Sequence, residues 1–234
     1  MARPSKCFLF DVLEKKLSKI TAGIGLDAAS AGFKNRRMFK TEKYYGLDID
    51  LTALEKGLQK YSSSNTFGVS CDLERLDLLP ENSVDILVST NTLYCLTLDK
   101  RVKAIQHICR LASPSGYLFC QLSVDEELGE ALKIFEENFK DIKKIYYGNY
   151  VGRAYESFFK RRGAPGLHPL ASARPFRLLA WLISRFEYLT CRFRKINKHV
   201  LVICSGKKDQ GNANKFDLSN LPLIQDRLYN ALYK

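Results

Sequence analysis

No two cysteines of this 234-residue chain form a Cys-x-x-Cys pair, and its three histidines keep no ligand spacing with the seven cysteines. That argues against a zinc site. An odd count without a framework points to buried thiols in a reducing compartment, not to disulfides. Several cysteines fall inside apolar runs such as GYLFCQL and HVLVICS. Long apolar runs are missing too: none approaches the ~18 residues that a membrane span needs. The opening MARPSKCFLFDVLEKKLSK has too short an apolar core for a signal peptide and turns acidic early, so the expectation is a cytoplasmic protein. There is no Gly-x-Gly-x-x-Gly, which counts against a dinucleotide dehydrogenase. Internal repeats and low-complexity tracts are absent as well.

What is present is an ordinary globular composition, 46% hydrophobic and 26% charged, at a length that suits one domain with an insertion. The net charge of +12 is unevenly placed. Residues 151–200 hold 11 Lys/Arg against Glu156 and Glu187, so +9 of it lies in about one fifth of the chain. That is a basic face on one module.

The organising stretch is Gly25 to Asp50, GLDAASAGFKNRRMFKTEKYYGLDID. An apolar run ends in Asp27, a turn of very small residues follows, and a second apolar run ends in Asp48. This reads as strand, cradling turn, short helix over 33–40 and a second parallel strand, with both acids at carboxyl ends where open α/β sheets bind ligands. An acid closing the second strand can accept both hydrogen bonds of a ribose diol. Further along, a helix 7–19 precedes the first strand (22–28), and 51–61 and 100–111 carry apolar residues at helical spacing. Strands are expected at 66–72, in VDILVST, in YLFCQL after a Ser113-Pro-Ser-Gly116 turn, near 142–148 and at 199–205, with a helix over 125–139. The tail is expected to end in a helix with Leu221, Ile224, Leu228 and Leu232 on one side. Strands alternating with helices make a three-layer, Rossmann-like α/β sheet, mostly parallel with the last strand antiparallel, and a helical insertion before that strand. The expected division is 1–148 plus 199–207, an insertion 149–198, and a tail 208–234.

Over residues 20–148 and the strand at 199–205, the chain resembles class I S-adenosylmethionine-dependent methyltransferases. GLDAASAG matches the first motif and YYGLDID the second. CDLERLDLLPENSVDILVSTNTLYCL matches the third and fourth, and SPSG the usual Lys-Pro-Gly-Gly turn. A narrower likeness is to members encoded with polysaccharide and lipopolysaccharide genes. The resemblance implies S-adenosylmethionine, or S-adenosylhomocysteine after transfer, as cofactor. It places Asp27, with Ala28, Ala29 and Gly32 of the same motif, at the cofactor's amino-acid end. Asp48 would hold the ribose hydroxyls, Ile49 would pack on the adenine, and Asp72 and Leu73 would meet its edge. Ser89, Thr90 and Asn91 would line the methyl-donor side, and Tyr94 would stand where the acceptor enters, a catalytic candidate only with help for a phenol of pKa near ~10. The chain departs from the family at Ala29 and Ala31, which stand where glycines are usual. A methyl in a left-handed backbone costs about 1–2 kcal/mol and little if φ stays negative.

For each acid there is a plain alternative: Asp27 as a helix cap, Asp48 as a solvated strand end, Asp72 as a turn residue. Asp85 reads as structural and His168 as a surface histidine or part of a closing loop. In the insertion, Leu178, Leu179, Leu182, Ile183, Phe186, Leu189, Phe193 and Ile196 share one helical face and Arg177, Ser184, Arg185, Arg192 and Lys195 the opposite one. Two readings fit: a lid helix with a basic outer face over the acceptor pocket, or residues 175–196 lying peripherally on an anionic membrane at its inner face. The function expected is methyl transfer to an O or N of a small or lipid-linked, anionic acceptor. The alternatives are a methyltransferase-like scaffold and a nucleic-acid methyltransferase.

Overall fold

Parallel pairing of apolar strands builds the body of the protein. This computed structural model describes residues 2–161, 166–209 and 211–232. In chain order the strands are β1 (Thr21–Ala28), β2 (Lys40–Asp48), β3 (Thr66–Ser70), β4 (Val84–Ser89), β5 (Ala112–Ser123), β6 (Phe139–Tyr147), β7 (His199–Lys207), β8 (Leu223–Gln225) and β9 (Leu228–Asn230). The helices are α1 (Pro4–Leu17), α2 (Leu51–Lys60), α3 (Leu98–Leu111), α4 (Leu128–Asn138), α5 (Tyr150–Phe158) and α6 (Arg174–Thr190). The sheet order is β6-β7-β5-β4-β1-β2-β3-β9-β8. Neighbours β5-β4-β1-β2-β3-β9 run parallel, and β8 closes the edge antiparallel to β9. This is the expected mostly parallel α/β sheet; the antiparallel edge at β8 lies in the tail, not at the strand 199–205 for which it was expected.

The chain divides into two units, one formed by Leu17–Leu122, Glu126–Lys143 and Val202–Lys234. In it β1 is central, and its register pairs Ala28 with Leu47 on one side and with Ser89 on the other. The residues that follow these three positions therefore emerge at one edge, where the sheet hands its chains to loops.

Three elements of this unit differ from the sequence reading. Residues 33–40 form no helix beyond a 3-10 turn at Arg36–Met38, because Phe33 takes a left-handed φ of 56°. Its ring fills a slot cleared by two glycines: a Cβ at Gly46 would lie 2.2 Å from it and one at Gly57 2.7 Å. Burying that ring stabilises by about 2–3 kcal/mol, enough to offset the backbone strain. Second, Ser113–Gly116 lies inside β5: Val84 pairs with Ala112 but Ile86 with Tyr117, so the segment is taken up as a bulge. Third, the tail makes β8 and β9, not a helix. Leu228 and Asn230 are buried while Tyr229 is half-buried, a period of two, and β9 pairs with the open side of β3.

The second unit comprises Met1–Lys16, Ser123–Asp125 and Lys144–Leu201. Asn149 caps α5 by accepting from the Gly152 N–H at 3.0 Å. Tyr155, Phe159, Ala171 and Ala180 form a small core between α5 and α6. From α1, Asp11 meets the Arg185 guanidinium at 3.0 Å and accepts from the Tyr188 hydroxyl. Glu187 is wholly buried and accepts the N–H groups of Gly148 and Asn149 at 3.0 and 3.2 Å. Burial pushes its carboxyl up to about 7, against the pull of those two donors. The packed face of α6 is thus Ala180, Ser184 and Glu187, whereas Leu178, Leu182, Phe186 and Leu189 are 46–73% exposed. The exposed surface of α6 carries its apolar stripe as well as Arg174 and Arg177. No helix among the described residues is long and apolar enough to cross a membrane.

Candidate functional site

The turn after β1 holds its shape through buried polar contacts. Asp27 is fully buried, and its carboxylate accepts from Asn35 Nδ2 and from the Tyr44 hydroxyl, both at 2.9 Å. Burial pushes this carboxyl up to about 6, with Asn35, Lys34 and Tyr44 pulling the other way. Asp27 therefore ties the turn to β2. Around it Ala29, Ala31 and Phe33 adopt φ values of 60°, 47° and 56°. The left-handed geometry that glycines would supply is kept with alanines, at a cost of about 1–2 kcal/mol each. Strain of this kind persists only when the surroundings over-determine it. Here Leu47 O accepts from the Ser30 N–H at 2.8 Å and Asp48 Oδ2 from the Ala31 N–H at 2.7 Å.

Asp48 ends β2 beside a cavity of about 270 Å³ lined by Ala29, Ala31, Lys34, Leu47, Asp48, Ile49, Cys71, Asp72, Leu73, Thr92 and Leu96. The volume is near the lower end of the ~300–1,000 Å³ of small-molecule sites. Asp48 Oδ1 accepts from the Asp50 N–H at 3.1 Å, so each carboxylate oxygen uses one acceptor position and keeps another. Ile49 is 63% exposed, an apolar platform at the rim. Asp72 caps the Leu73–Leu78 turn by accepting from the Glu74 N–H at 3.0 Å, and the Cys71 N–H reaches the Asp48 carbonyl at 3.0 Å. Burial pushes the Cys71 thiol up to about 12, so it stays protonated and is no nucleophile.

Of the residues singled out in the sequence, Ala29, Asp48, Ile49, Asp72 and Leu73 come together around this cavity. Asp27, Ala28, Gly32, Thr90 and Asn91 are not in its lining. Asp27, Ala28 and Thr90 are buried. Thr90 accepts from Asn35 Nδ2 at 3.4 Å, and Asn91, with φ 63°, donates its N–H to Gln121 Oε1 at 2.8 Å. Ser89 is buried at the end of β4. Tyr94 stays out of the lining, but its turn, Leu93–Cys95, lies between Thr92 and Leu96, which do line it. Asp85 accepts from the Ile24 N–H at 2.9 Å and from Ser113 Oγ at 3.1 Å, a pin between strands. His168 is exposed, its Nδ1 accepting from the Leu170 N–H at 3.3 Å; its neighbours 162–165 lie outside the described residues. Sequence reasoning missed Lys34, Cys71, Thr92 and Leu96 as lining residues. For Lys34 the only advance signal was its place after a small-residue turn. No group of three or more His, Cys, Asp or Glu among the described residues could hold a metal ion.

A parallel sheet with a strained small-residue turn after its central strand and an acid closing the next strand defines a class. Residues 20–120 match the family model described as methyltransferase domain. Over that stretch, less than half of its length, the chain is similar to a methyltransferase domain. Solved structures agree on the fold. An N-methyltransferase, NodS of Bradyrhizobium japonicum, in complex with S-adenosylhomocysteine, is 14% identical over 86% of this chain and 85% of its own, with a TM-score of 0.54. A putative sarcosine dimethylglycine methyltransferase of Galdieria sulphuraria is 12% identical over 87% and 85%, with a TM-score of 0.56. Phosphoethanolamine N-methyltransferase 2 of Haemonchus contortus, in complex with phosphomonomethylethanolamine and S-adenosylhomocysteine, is 14% identical over 86% of this chain and 52% of its own, with a TM-score of 0.52. At such identities the likeness carries the fold and not the acceptor. No curated protein matches the sequence.

Proposed function

We propose that the chain transfers a methyl group from S-adenosylmethionine to an oxygen or nitrogen of a small or lipid-linked acceptor that carries negative charge. The observation behind the cofactor half is Asp48. It is a half-buried carboxylate with acceptor capacity to spare, in the lining of a cavity that also has an apolar platform (Ile49, Leu73) and a second acid (Asp72). A nucleoside needs such a set: a diol acceptor, a surface for a flat ring and a polar edge. Asp48 would hold the ribose hydroxyls, Ile49 and Leu73 would flank the base, and Asp72 would take its exocyclic amine. The cofactor supplies a methyl already activated on a sulfonium, so the protein's task is to bind, align and exclude water. A general base is needed only for a poor nucleophile, which fits the absence of a catalytic dyad around the cavity.

The acceptor half rests on charge. Lys34 lines the cavity, a cation that favours phosphate or carboxylate. The Haemonchus contortus enzyme has a phosphorylated amine bound, so the fold accommodates such groups. Calorimetry with S-adenosylhomocysteine tests the reading. The wild type should bind, and Asp48→Asn should weaken binding about 10- to 100-fold, the size of a lost charge-assisted hydrogen bond or two. No binding at millimolar ligand would leave a scaffold with the fold of the family. Salt-insensitive indifference to RNA and DNA would dispose of the nucleic-acid alternative.

A further inference from the structure

The outward side of α6 is inverted relative to a helix that packs its apolar face. Ala180, Ser184 and Glu187 face in, with Phe176 and Ile183 packed partly buried, and Leu178, Leu182, Phe186 and Leu189 face out, with Leu179 and Phe193 exposed alongside at 44% and 60%. At 100° per residue these side chains form a stripe about 100° wide. Beside one edge lie the half-buried Arg185 and the exposed Arg174 and Arg192, with Trp181, Tyr188 and the exposed Arg177 further round. Acids are kept away from this side: between Arg174 and Lys198 the sequence has one, Glu187, and it is turned inward and wholly buried.

We propose that α6 and the residues after it, to Lys195, seat this protein on a lipid bilayer that contains anionic phospholipid, apolar stripe in the acyl boundary and arginines among the headgroups. Three observations select that occupant. The helix has 17 residues and is about 26 Å long, short of the ~30 Å hydrocarbon core, so it lies along the surface. Arg185 is matched by Asp11 of α1, but the one acid within residues 174–198 is buried, so a second copy offering the same face would set the exposed Arg174 and Arg192 against like charges; anionic headgroups supply the opposite charge. Trp181 is exposed among the arginines beside the stripe, where an amphipathic ring settles at a membrane–water boundary, whereas Tyr188 is held by Asp11 of α1. The inference goes beyond the methyl-transfer reading and does not depend on it.

Trp181 is the only tryptophan in the chain, so intrinsic emission reads the border of this helix directly. The full-length protein is titrated with vesicles of phosphatidylcholine, with and without phosphatidylglycerol, and floated on a density gradient. Emission should shift to the blue and the protein should float with phosphatidylglycerol vesicles, less so as salt rises. Arg177→Glu with Arg192→Glu should cut partitioning at least tenfold, as should Leu182→Glu with Phe186→Glu. All four positions are exposed, and far-UV circular dichroism with thermal unfolding, measured without lipid, reports that each variant is folded. Unchanged emission and no flotation would overturn the proposal, as would equal binding to neutral vesicles or a leucine–phenylalanine variant that floats like the wild type. A dimer in sedimentation that Leu182→Glu dissociates, without vesicle binding, would make the stripe a subunit seam instead. A chain that binds S-adenosylhomocysteine but never vesicles defeats the docking alone.

Discussion

Replacing Ala29 and Ala31 together by glycine should make the protein more stable, against the usual effect of adding glycine. Both residues have left-handed φ, 60° and 47°. A Cβ there costs about 1–2 kcal/mol, and glycine's extra freedom in the unfolded chain takes back about 0.5–1 kcal/mol. The net gain is about 0.5–1 kcal/mol per site, or about 1–2 kcal/mol for the pair when the sites add. For a chain of this size that raises the melting temperature by roughly 2–8 °C. Ala28→Gly is the internal control: Ala28 is buried in β1 with ordinary strand pairing, so it should lose stability. Both alanines also line the cavity, and removing their methyl groups should tighten S-adenosylhomocysteine binding. Thermal unfolding followed by circular dichroism, with calorimetry for the ligand, measures both effects. If the double variant melts below the wild type by as much as the control does, the turn does not hold the left-handed backbone described here, and the argument about strain at the site fails with it.

Other substitutions probe the remaining joints. Gly46→Ala drives a methyl to 2.2 Å from the Phe33 ring and should destabilise by about 1–3 kcal/mol or prevent folding, read by urea unfolding; Phe33→Ala restores room but opens a cavity and should cost about 3–5 kcal/mol. Glu187 sits at about 7 in the folded protein and near 4.5 when unfolded, so its stabilising contribution is complete below about pH 4.5 and is lost as pH rises through 7. Glu187→Gln should flatten the fall in stability between pH 5 and pH 8 by about 2–3 kcal/mol, and equal slopes in the two proteins would refute the burial account. Asp27→Ala strands the Tyr44 hydroxyl and the Asn35 amide in the core and should cost about 2–4 kcal/mol together, with Asp27→Asn milder.

The parts legible in the sequence were those where local signal and tertiary role agree. Asp27 and Asp48 each close an apolar run, and the parallel register brings both to one edge. Where the reading went astray, distant residues decided. Residues 33–40 have helical composition, yet the slot between Gly46 and Gly57 claims the Phe33 ring and with it the backbone. Leu221, Ile224, Leu228 and Leu232 satisfy a helical period, but the open side of β3 offered hydrogen-bond partners that no local pattern reveals. For α6 the period was right, and the sequence left open which side faces out. A hydrophobic stripe says that one face is apolar, not that the protein's own interior covers it. Glu187, buried by two backbone N–H groups, turned the other face inward.

The pairing of β3 with β9 bears on how the protein is made. Gly68 and Leu228, partners in the sheet, are 160 residues apart. During synthesis β3 leaves the ribosome long before its outer neighbour exists, and at several residues per second that interval lasts many seconds. Throughout it a strand next to the one bearing Asp48 presents bare amides and carbonyls to every other nascent chain nearby. Slowing or severing the supply of residues 223–230 should therefore raise misassembly, not merely trim an ornament from the sheet's margin.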